Sequence, residues 1–124
     1  MFAISVEHTF AAGHALRGYR GKCENVHGHN YRIIARLEGS ELDEIGLLCD
    51  FTQLKVWMRE IVERLDHQFL NDLEPFRTLN PSAENLARYI YQGLRERAAG
   101  LPRARLAEVT VFETDVTSAS YRES

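Results

Sequence analysis

Two stretches of alternating apolar and polar residues constrain the fold of this chain more than any other feature. In residues 2–10 every second side chain is mostly apolar, and these side chains share one face. Residues 29–38 follow the same pattern with Tyr31, Ile33 and Leu37. A period of two is typical of a β-strand with one buried face. The sequence therefore predicts two strands, 2–10 and about 29–38. Small residues end the first strand at 11–14, and a polar loop with glycines covers 15–26.

The middle of the chain has the helical period. The stretch Asp50–Gln53 is typical of a capping box, and apolar residues follow at helical spacing as far as Leu65, where the helix is expected to end. Ser82 can cap a second helix, which Gly100 and Pro102 stop. Two more alternating stretches, 107–114 and 117–122, then predict two further strands.

The predicted order is strand, strand, helix, helix, strand, strand. This order indicates an α+β protein in which a four-stranded antiparallel sheet carries two helices on one face. At 124 residues the chain is expected to form one domain over 1–124. No stretch reaches the length of a membrane span, so no membrane partner is expected.

Charge and cysteine content restrict the possible partners and location. The formal net charge is −3, which gives no basic field for nucleic acid. The first residues alternate and lack a signal-peptide pattern, so a cytoplasmic location is expected. In that compartment Cys23 and Cys49 are expected to be free thiols.

Three histidines are candidate metal ligands. His27 and His29 are separated by one residue, so in an extended segment they point to the same face, with β-carbons about 7 Å apart. If the first two strands pair antiparallel, His14 at the end of one lies beside this pair. Three protein ligands with a vacant fourth position are typical of a catalytic zinc site. The alternative is that these are unrelated surface and loop imidazoles.

Cys23 precedes the His-Gly-His stretch by four residues and has two possible roles. It could be the fourth ligand of a structural zinc site. It could instead be a thiolate that acts as a base near the metal, because a neighbouring cation increases the thiolate fraction. Cys49 lies in an apolar context and is expected to be a small core residue.

Asp66, His67 and Glu113 are the remaining candidates. A carboxylate beside an imidazole can orient the ring, although His67 could also be a histidine at the C-terminal end of the first helix. Glu113 continues the apolar face of the third predicted strand, where a carboxylate needs a partner. A ligand with two N–H donors would suit it, and the alternative is a strand-end side chain that reaches solvent.

These residues occur within motifs whose order and rough spacing resemble the 6-pyruvoyltetrahydropterin synthase family. The resemblance covers nearly the whole chain. Within the family, the spacing of three residues between Cys23 and His-Gly-His resembles that of the bacterial members, which make 6-carboxytetrahydropterin for queuosine biosynthesis. The motifs that carry the resemblance are Phe10–His14, Cys23–His29, Asp50-Phe51, Leu65–Asn71, Pro81–Asn85 and Glu113-Thr114.

The resemblance implies a zinc site and a set of catalytic groups. It implies that zinc is bound by three residues, His14, His27 and His29, and that Cys23 is the catalytic base. It further implies that Asp66 and His67 form a proton relay and that Glu113 anchors the pterin ring. The implied reaction is the zinc-dependent conversion of 7,8-dihydroneopterin triphosphate to 6-carboxy-5,6,7,8-tetrahydropterin, with release of acetaldehyde and triphosphate.

Two alternatives to this reaction stay open. One is the 6-pyruvoyltetrahydropterin synthase reaction, in which triphosphate is eliminated and acetaldehyde is not released. The other is a non-catalytic, zinc-stabilised binding module in which Cys23 completes the metal site.

An oligomer is expected for two reasons. A four-stranded sheet has two open edges, which invite pairing with another chain, and closure into a barrel removes them. The resemblance implies the tunnelling fold, in which three such sheets close a barrel and two trimers often stack. A homotrimer or homohexamer is therefore expected. Active sites would lie where subunits meet, so that Glu113 and the zinc serving one substrate are expected to come from different chains.

Overall fold

The computed structural model describes residues 1–123 and contains one antiparallel sheet and two α-helices. The strands lie in the sequential order β1-β2-β3-β4, and each pairs antiparallel with its neighbour. The predicted α+β sheet with two helices is thus confirmed. In chain order the elements are β1 (Phe2–His14), β2 (His27–Gly39), α1 (Phe51–Val62), α2 (Ala83–Ala98), β3 (Arg105–Thr114) and β4 (Thr117–Tyr121), with two short 3₁₀ turns at Lys22–Glu24 and Leu70–Asp72.

The first two strands form a longer hairpin than predicted. β1 continues through the small residues 11–13 to His14, and β2 begins at His27 rather than His29. The reason is that the register from Phe2 opposite Gly39 runs without interruption to His14 opposite His27. Small residues do not end a strand whose backbone groups continue to find partners. The predicted loop at 15–26 is therefore flanked by the paired residues His14 and His27.

Side-chain caps start both helices where the sequence predicts. The Thr52 N–H donates to the Asp50 carboxylate at 2.9 Å, and the Asn85 N–H donates to the Ser82 hydroxyl at 3.2 Å. These bonds satisfy amides that have no partner inside a helix. α1 ends at Val62 instead of near Leu65, because the chain there leaves the helix through a series of turns.

The hydrophobic core lies between the helices and one face of the sheet. In β2 the odd-numbered residues 31–37 are fully buried, and the even-numbered residues of the same stretch are not. α1 and α2 bury their apolar stripes against this face, and α2 packs mainly against β3 and β4. The buried set of β1 and β2 side chains defines the inner face of the sheet, and the other set defines its outer face. Within residues 1–123, no helix is long and apolar enough to cross a membrane.

Candidate metal centre and its surroundings

The hairpin brings three histidines together at one end of the inner face. His14 is paired with His27 in the register, and the pair Ala12–His29 follows next along the ladder. The ligand nitrogens of the three rings all lie within 4.8 Å of one another. His14 is fully buried, whereas His27 and His29 are partly exposed. The predicted convergence is confirmed, and the cluster is open to solvent on one side.

Backbone carbonyls fix the orientation of two of the rings. His14 Nδ1 lies 2.7 Å from the Pro81 carbonyl oxygen, and His27 Nδ1 lies 2.7 Å from that of Asn25. A carbonyl only accepts hydrogen bonds, so each Nδ1 carries the proton and each Nε2 presents a lone pair. The two Nε2 atoms face each other at 3.0 Å.

This donor set fits a metal ion. In neutral rings the two facing lone pairs repel each other, and a cation between them turns the repulsion into coordination. Hydrogen bonding of the second ring nitrogen to a carbonyl is the usual support of metal-bound histidine. His29 Nε2 is also buried and makes no hydrogen bond with any of the described residues. Three nitrogen donors with one further position open are the pattern of a catalytic rather than a structural zinc site.

Burial keeps two of the ligands neutral. Desolvation lowers the pKa of His14, although the hydrogen bond to Pro81 and the charge of Glu113 oppose this shift. Desolvation also lowers the pKa of His29, with Glu113 opposing it and the neighbouring histidines adding to it. Only the neutral imidazole binds a metal, so the site is prepared for one down to a lower pH than free histidine would be.

Tyr31 packs against His14 and His29, and the sequence alone does not predict it as a residue of the site. Its hydroxyl lies 3.3 Å from His14 Nδ1, and its ring stacks on Phe10 at a centroid distance of 4.8 Å. Burial raises the pKa of this phenol, and the Glu113 charge raises it further. The one sequence feature that indicates its role in the site is its position two residues after His29, on the same face of the strand.

Glu113 lies beside the triad of its own chain. Its Oε1 is 3.2 Å from His29 Nε2, which is ion-pair distance, but the angles are not those of a hydrogen bond. Within one chain Glu113 thus lies beside a candidate metal ligand, and the expected sharing of a site between chains stays a prediction. Glu113 stands at an irregularity between β3 and β4, because Phe112 pairs with Ser118 and Thr114 with Thr117. Such bulges redirect side chains at the ends of strands.

Cys23 lies in the short 3₁₀ turn just before the His-Gly-His stretch and is half-buried. Its carbonyl accepts a hydrogen bond of 2.9 Å from the Leu16 N–H, which extends the hairpin beyond His14. Its sulfur is not among the ligand atoms of the three-histidine group. This geometry does not support Cys23 as a fourth ligand.

Asp66 and His67 lie on the free edge of β1. The Ala11 N–H donates to Asp66 Oδ1 at 3.0 Å, and the His67 N–H donates to the Ala11 carbonyl at 2.6 Å. His67 Nδ1 is 3.0 Å from the second Asp66 oxygen, and the His67 side chain is 80% exposed. Hydrogen bonding from Ala11, followed by that from His67, lowers the pKa of Asp66.

The alternative role of His67 at a helix C-terminus is wrong. α1 ends at Val62, and His67 stands in a left-handed turn with a φ of 59°. A cavity next to this turn is lined by residues 11–13, 28–30 and 67–68. Gly28 and Asn30 belong to the outer face of the sheet, whereas the triad nitrogens lie on the inner face. His29 also lines this cavity, so the turn that carries His67 and one residue of the triad border the same space.

Comparisons with known proteins identify the relatives of this chain. Residues 3–124 match the family described as 6-pyruvoyl tetrahydropterin synthase. A 6-carboxy-5,6,7,8-tetrahydropterin synthase of Synechocystis sp. is 35% identical over 98% of this chain and 93% of its own length. The human 6-pyruvoyl tetrahydrobiopterin synthase is 35% identical over 82% of this chain and 71% of its own. The structure of the Caenorhabditis elegans 6-pyruvoyl tetrahydropterin synthase superposes with a TM-score of 0.88 at 29% identity, over 99% of this chain and 96% of that one.

Proposed function

Because this chain belongs to the 6-pyruvoyl tetrahydropterin synthase family, we propose that it is a zinc-dependent lyase that converts 7,8-dihydroneopterin triphosphate to 6-carboxy-5,6,7,8-tetrahydropterin. Acetaldehyde and triphosphate are released, and the product enters queuosine biosynthesis in the cytoplasm. The observation that carries the proposal is the group of three inward-facing histidine nitrogens with the Glu113 carboxylate beside it. The bacterial relatives named 6-carboxytetrahydropterin synthase support this choice of product.

The three histidines hold the metal in this proposal. A zinc ion bound by His14, His27 and His29 would supply Lewis-acid polarisation of the two side-chain hydroxyls of the substrate. The Pro81 and Asn25 carbonyls keep the Nε2 atoms of His14 and His27 directed to the ion. The chain itself therefore sets where the substrate side chain can lie.

Acid–base chemistry is assigned to Cys23, Asp66 and His67. Cys23 lies outside the group of metal ligands, so its thiolate is free to accept a proton from a carbon of the substrate side chain. The His67 ring is oriented by Asp66, which is itself held by the Ala11 amide, and it can return a proton at another carbon. The carboxylate of Asp66 also fixes which way the His67 ring faces, because Asp66 Oδ2 lies 3.0 Å from His67 Nδ1.

Glu113 is assigned to the pterin ring. The ring presents two adjacent N–H donors on one edge, which match a carboxylate through two parallel hydrogen bonds, much as the guanidinium of arginine does. The side chain is partly exposed and stands beside His29, so a ring that it binds has its side chain close to the metal ligands. This arrangement gives orientation as well as affinity.

Assembly into a homotrimer or homohexamer is part of the proposal. Among the described residues, β1 and β4 are the outer strands of the sheet, and β1 is covered on its free edge only near residues 11–13. Asp66 and His67 are not among the clustered ligand atoms of their own chain. A neighbouring chain paired along this edge would bring its own metal site to His67, so a complete site is shared between subunits.

Product analysis tests the proposed function. The zinc-loaded protein is incubated with 7,8-dihydroneopterin triphosphate, and the pterin product is identified by mass spectrometry while acetaldehyde is assayed separately. We expect the mass of 6-carboxytetrahydropterin together with acetaldehyde. A product with the mass of 6-pyruvoyltetrahydropterin and no acetaldehyde would instead assign the alternative reaction, which the human relative favours. Absence of any pterin product would leave a zinc-stabilised binding module.

A further inference from the structure

A ladder of hydrogen bonds continues along the free edge of β1 beyond its last residue. Ala11 bonds to Asp66 and His67, and the Gly13 N–H donates to the Gln68 carbonyl at 3.0 Å. From Ala11 onward, every second residue of this edge therefore finds a partner in the connection between α1 and α2. After His14 the strand has ended, yet the same alternation continues with partners that are side chains instead of backbone.

Two asparagines supply these partners. The Ala15 N–H donates to Asn71 Oδ1 at 2.9 Å, and Asn71 Nδ2 donates back to the Ala15 carbonyl at 2.9 Å. Arg17 has the same pair of bonds with Asn80, at 2.9 and 2.8 Å. A primary amide carries one acceptor and donors on adjacent atoms, so it can satisfy both backbone groups of one residue as a neighbouring strand would. We call Asn71 and Asn80 the amide clamp.

The amide clamp is anchored to the rigid part of the fold. Asn71 belongs to the 3₁₀ turn Leu70–Asp72, and Asn80 has its carbonyl bonded to the Asn85 side chain at 2.9 Å, in the first turn of α2. The residue after Asn80 is Pro81, whose carbonyl orients the ring of His14. The same short connection thus fixes a metal ligand and the segment that follows it.

The opposite side of the clamped segment holds Cys23. The Leu16 N–H, between the two clamped residues, donates to the Cys23 carbonyl at 2.9 Å. Cys23 otherwise lies in a loop whose neighbours at 18–21 are exposed. The position of its thiol relative to the three histidines therefore depends on where residues 15–17 are held.

From this arrangement we infer that Asn71 and Asn80 are positioning residues that hold the Cys23 loop in register with the metal site and with Asp66–His67. The inference rests on the proposed function in so far as Cys23 is the base. A displaced general base loses rate even when every reacting group is present, and a shift of about 1 Å can cost about 10²-fold. Neither asparagine is one of the residues assigned to the metal or to the pterin ring, so binding of metal and pterin should be spared.

The test compares Asn71→Ala and Asn80→Ala with Gln92→Ala, which removes an exposed amide from α2. Turnover of 7,8-dihydroneopterin triphosphate by the zinc-loaded proteins should show kcat lowered by about 10²-fold, with KM and zinc content near those of the wild type. In parallel, alkylation of Cys23 by iodoacetamide is measured against Cys49 in the same molecule. The ratio should rise several-fold in the clamp variants, because the loop opens, and should not change in Gln92→Ala.

The two readouts separate the possible failures. If the wild type does not turn over the pterin, the proposed function fails, while the alkylation ratio still decides whether the clamp holds Cys23. Wild-type kcat and a wild-type alkylation ratio in both clamp variants, with only a lower Tm, would overturn the inference. If circular dichroism shows that Asn71→Ala does not fold, Asn80→Ala decides the question by the same measurements. The hydrogen bonds of the Asn80 side chain lie at the surface.

Discussion

His14 Nε2 lies 3.0 Å from His27 Nε2, although both rings present lone pairs there when neutral. The contact follows from the register, which pairs the two residues, and from the carbonyls that hold their Nδ1 atoms. A cation is the group that makes such a contact favourable. The arrangement leads to predictions for the metal, the base, the pterin anchor, the pH dependence and the assembly.

Substitution of one ligand should abolish metal binding. His27→Ala leaves two nitrogen donors, which rarely hold zinc against water and buffer. We expect most of the zinc to be lost after dialysis against a mild chelator, as measured by mass spectrometry of the metal. His8→Ala, on the same strand face but outside the group, should retain it. Wild-type zinc content in His27→Ala would refute the three-histidine site.

Cys23→Ala separates a base from a ligand. Because the Cys23 sulfur is not among the clustered ligand atoms, the variant should keep its zinc. Its turnover should fall by about 10²–10⁴-fold, which is the usual contribution of general-base catalysis. Cys49→Ala serves as the matched control and should retain both zinc and activity. A zinc-free Cys23→Ala protein would favour the structural metal site instead.

Glu113→Gln tests the pterin anchor. The amide keeps the size of the side chain but places a donor where the pterin edge needs an acceptor. We expect the affinity for a non-reactive pterin analogue, measured by calorimetry, to fall sharply while zinc content stays constant. Glu108→Gln changes a carboxylate on the outer face of the same strand, beside Arg36, and should bind the analogue normally. Equal affinity in both variants would make Glu113 an ordinary strand-end residue.

The stability of the metal-free protein should depend on pH. The pKa values of His14 and His29 lie below 6.5 in the folded state, so the unfolded chain binds more protons as the pH falls through that value. The free energy of unfolding should therefore decrease between about pH 7.5 and about pH 5.5. Urea unfolding of chelator-treated protein measures the slope, and His29→Gln should flatten it. A stability that rises toward acid would contradict the assigned directions.

Mixing two inactive variants tests whether sites are shared. Cys23→Ala and His67→Ala are unfolded together, refolded and assayed. If His67 serves a neighbouring metal site, some mixed oligomers contain an intact site, and activity should exceed that of either parent refolded alone. Light scattering should give the mass of three or six chains. No recovery in mixed oligomers, or an active monomer, would exclude a shared site.

Much of this architecture follows from local sequence pattern. Side chains of a strand point alternately to its two faces, so the alternation alone places His27 and His29 on the buried face with Tyr31 and Ile33. Helix caps are equally local, which is why Asp50 and Ser82 mark the starts of α1 and α2. The convergence of His14 on this pair needed only one further assumption, that the first two strands pair antiparallel.

The remaining features depend on contacts between residues distant in sequence. β1 extends to His14 because its register with β2 continues that far, and residues 66–69 bond to its other edge at 11–13. No local rule predicts either pairing. The second pairing holds His67 beside Ala11, in a left-handed turn beyond the end of α1.

The amide clamp is the clearest case of a feature that depends on tertiary contacts. Asn71 and Asn80 stand in a connection where asparagine is common for reasons of turn geometry alone. Their partners, Ala15 and Arg17, are 56 and 63 residues away, so nothing in the local sequence marks them. Local sequence is enough to specify the buried faces and the helix caps, because both depend on residues close together in the chain. The fold decided which loops meet, because backbone groups left unpaired at a strand end bond to whatever packing brings within reach.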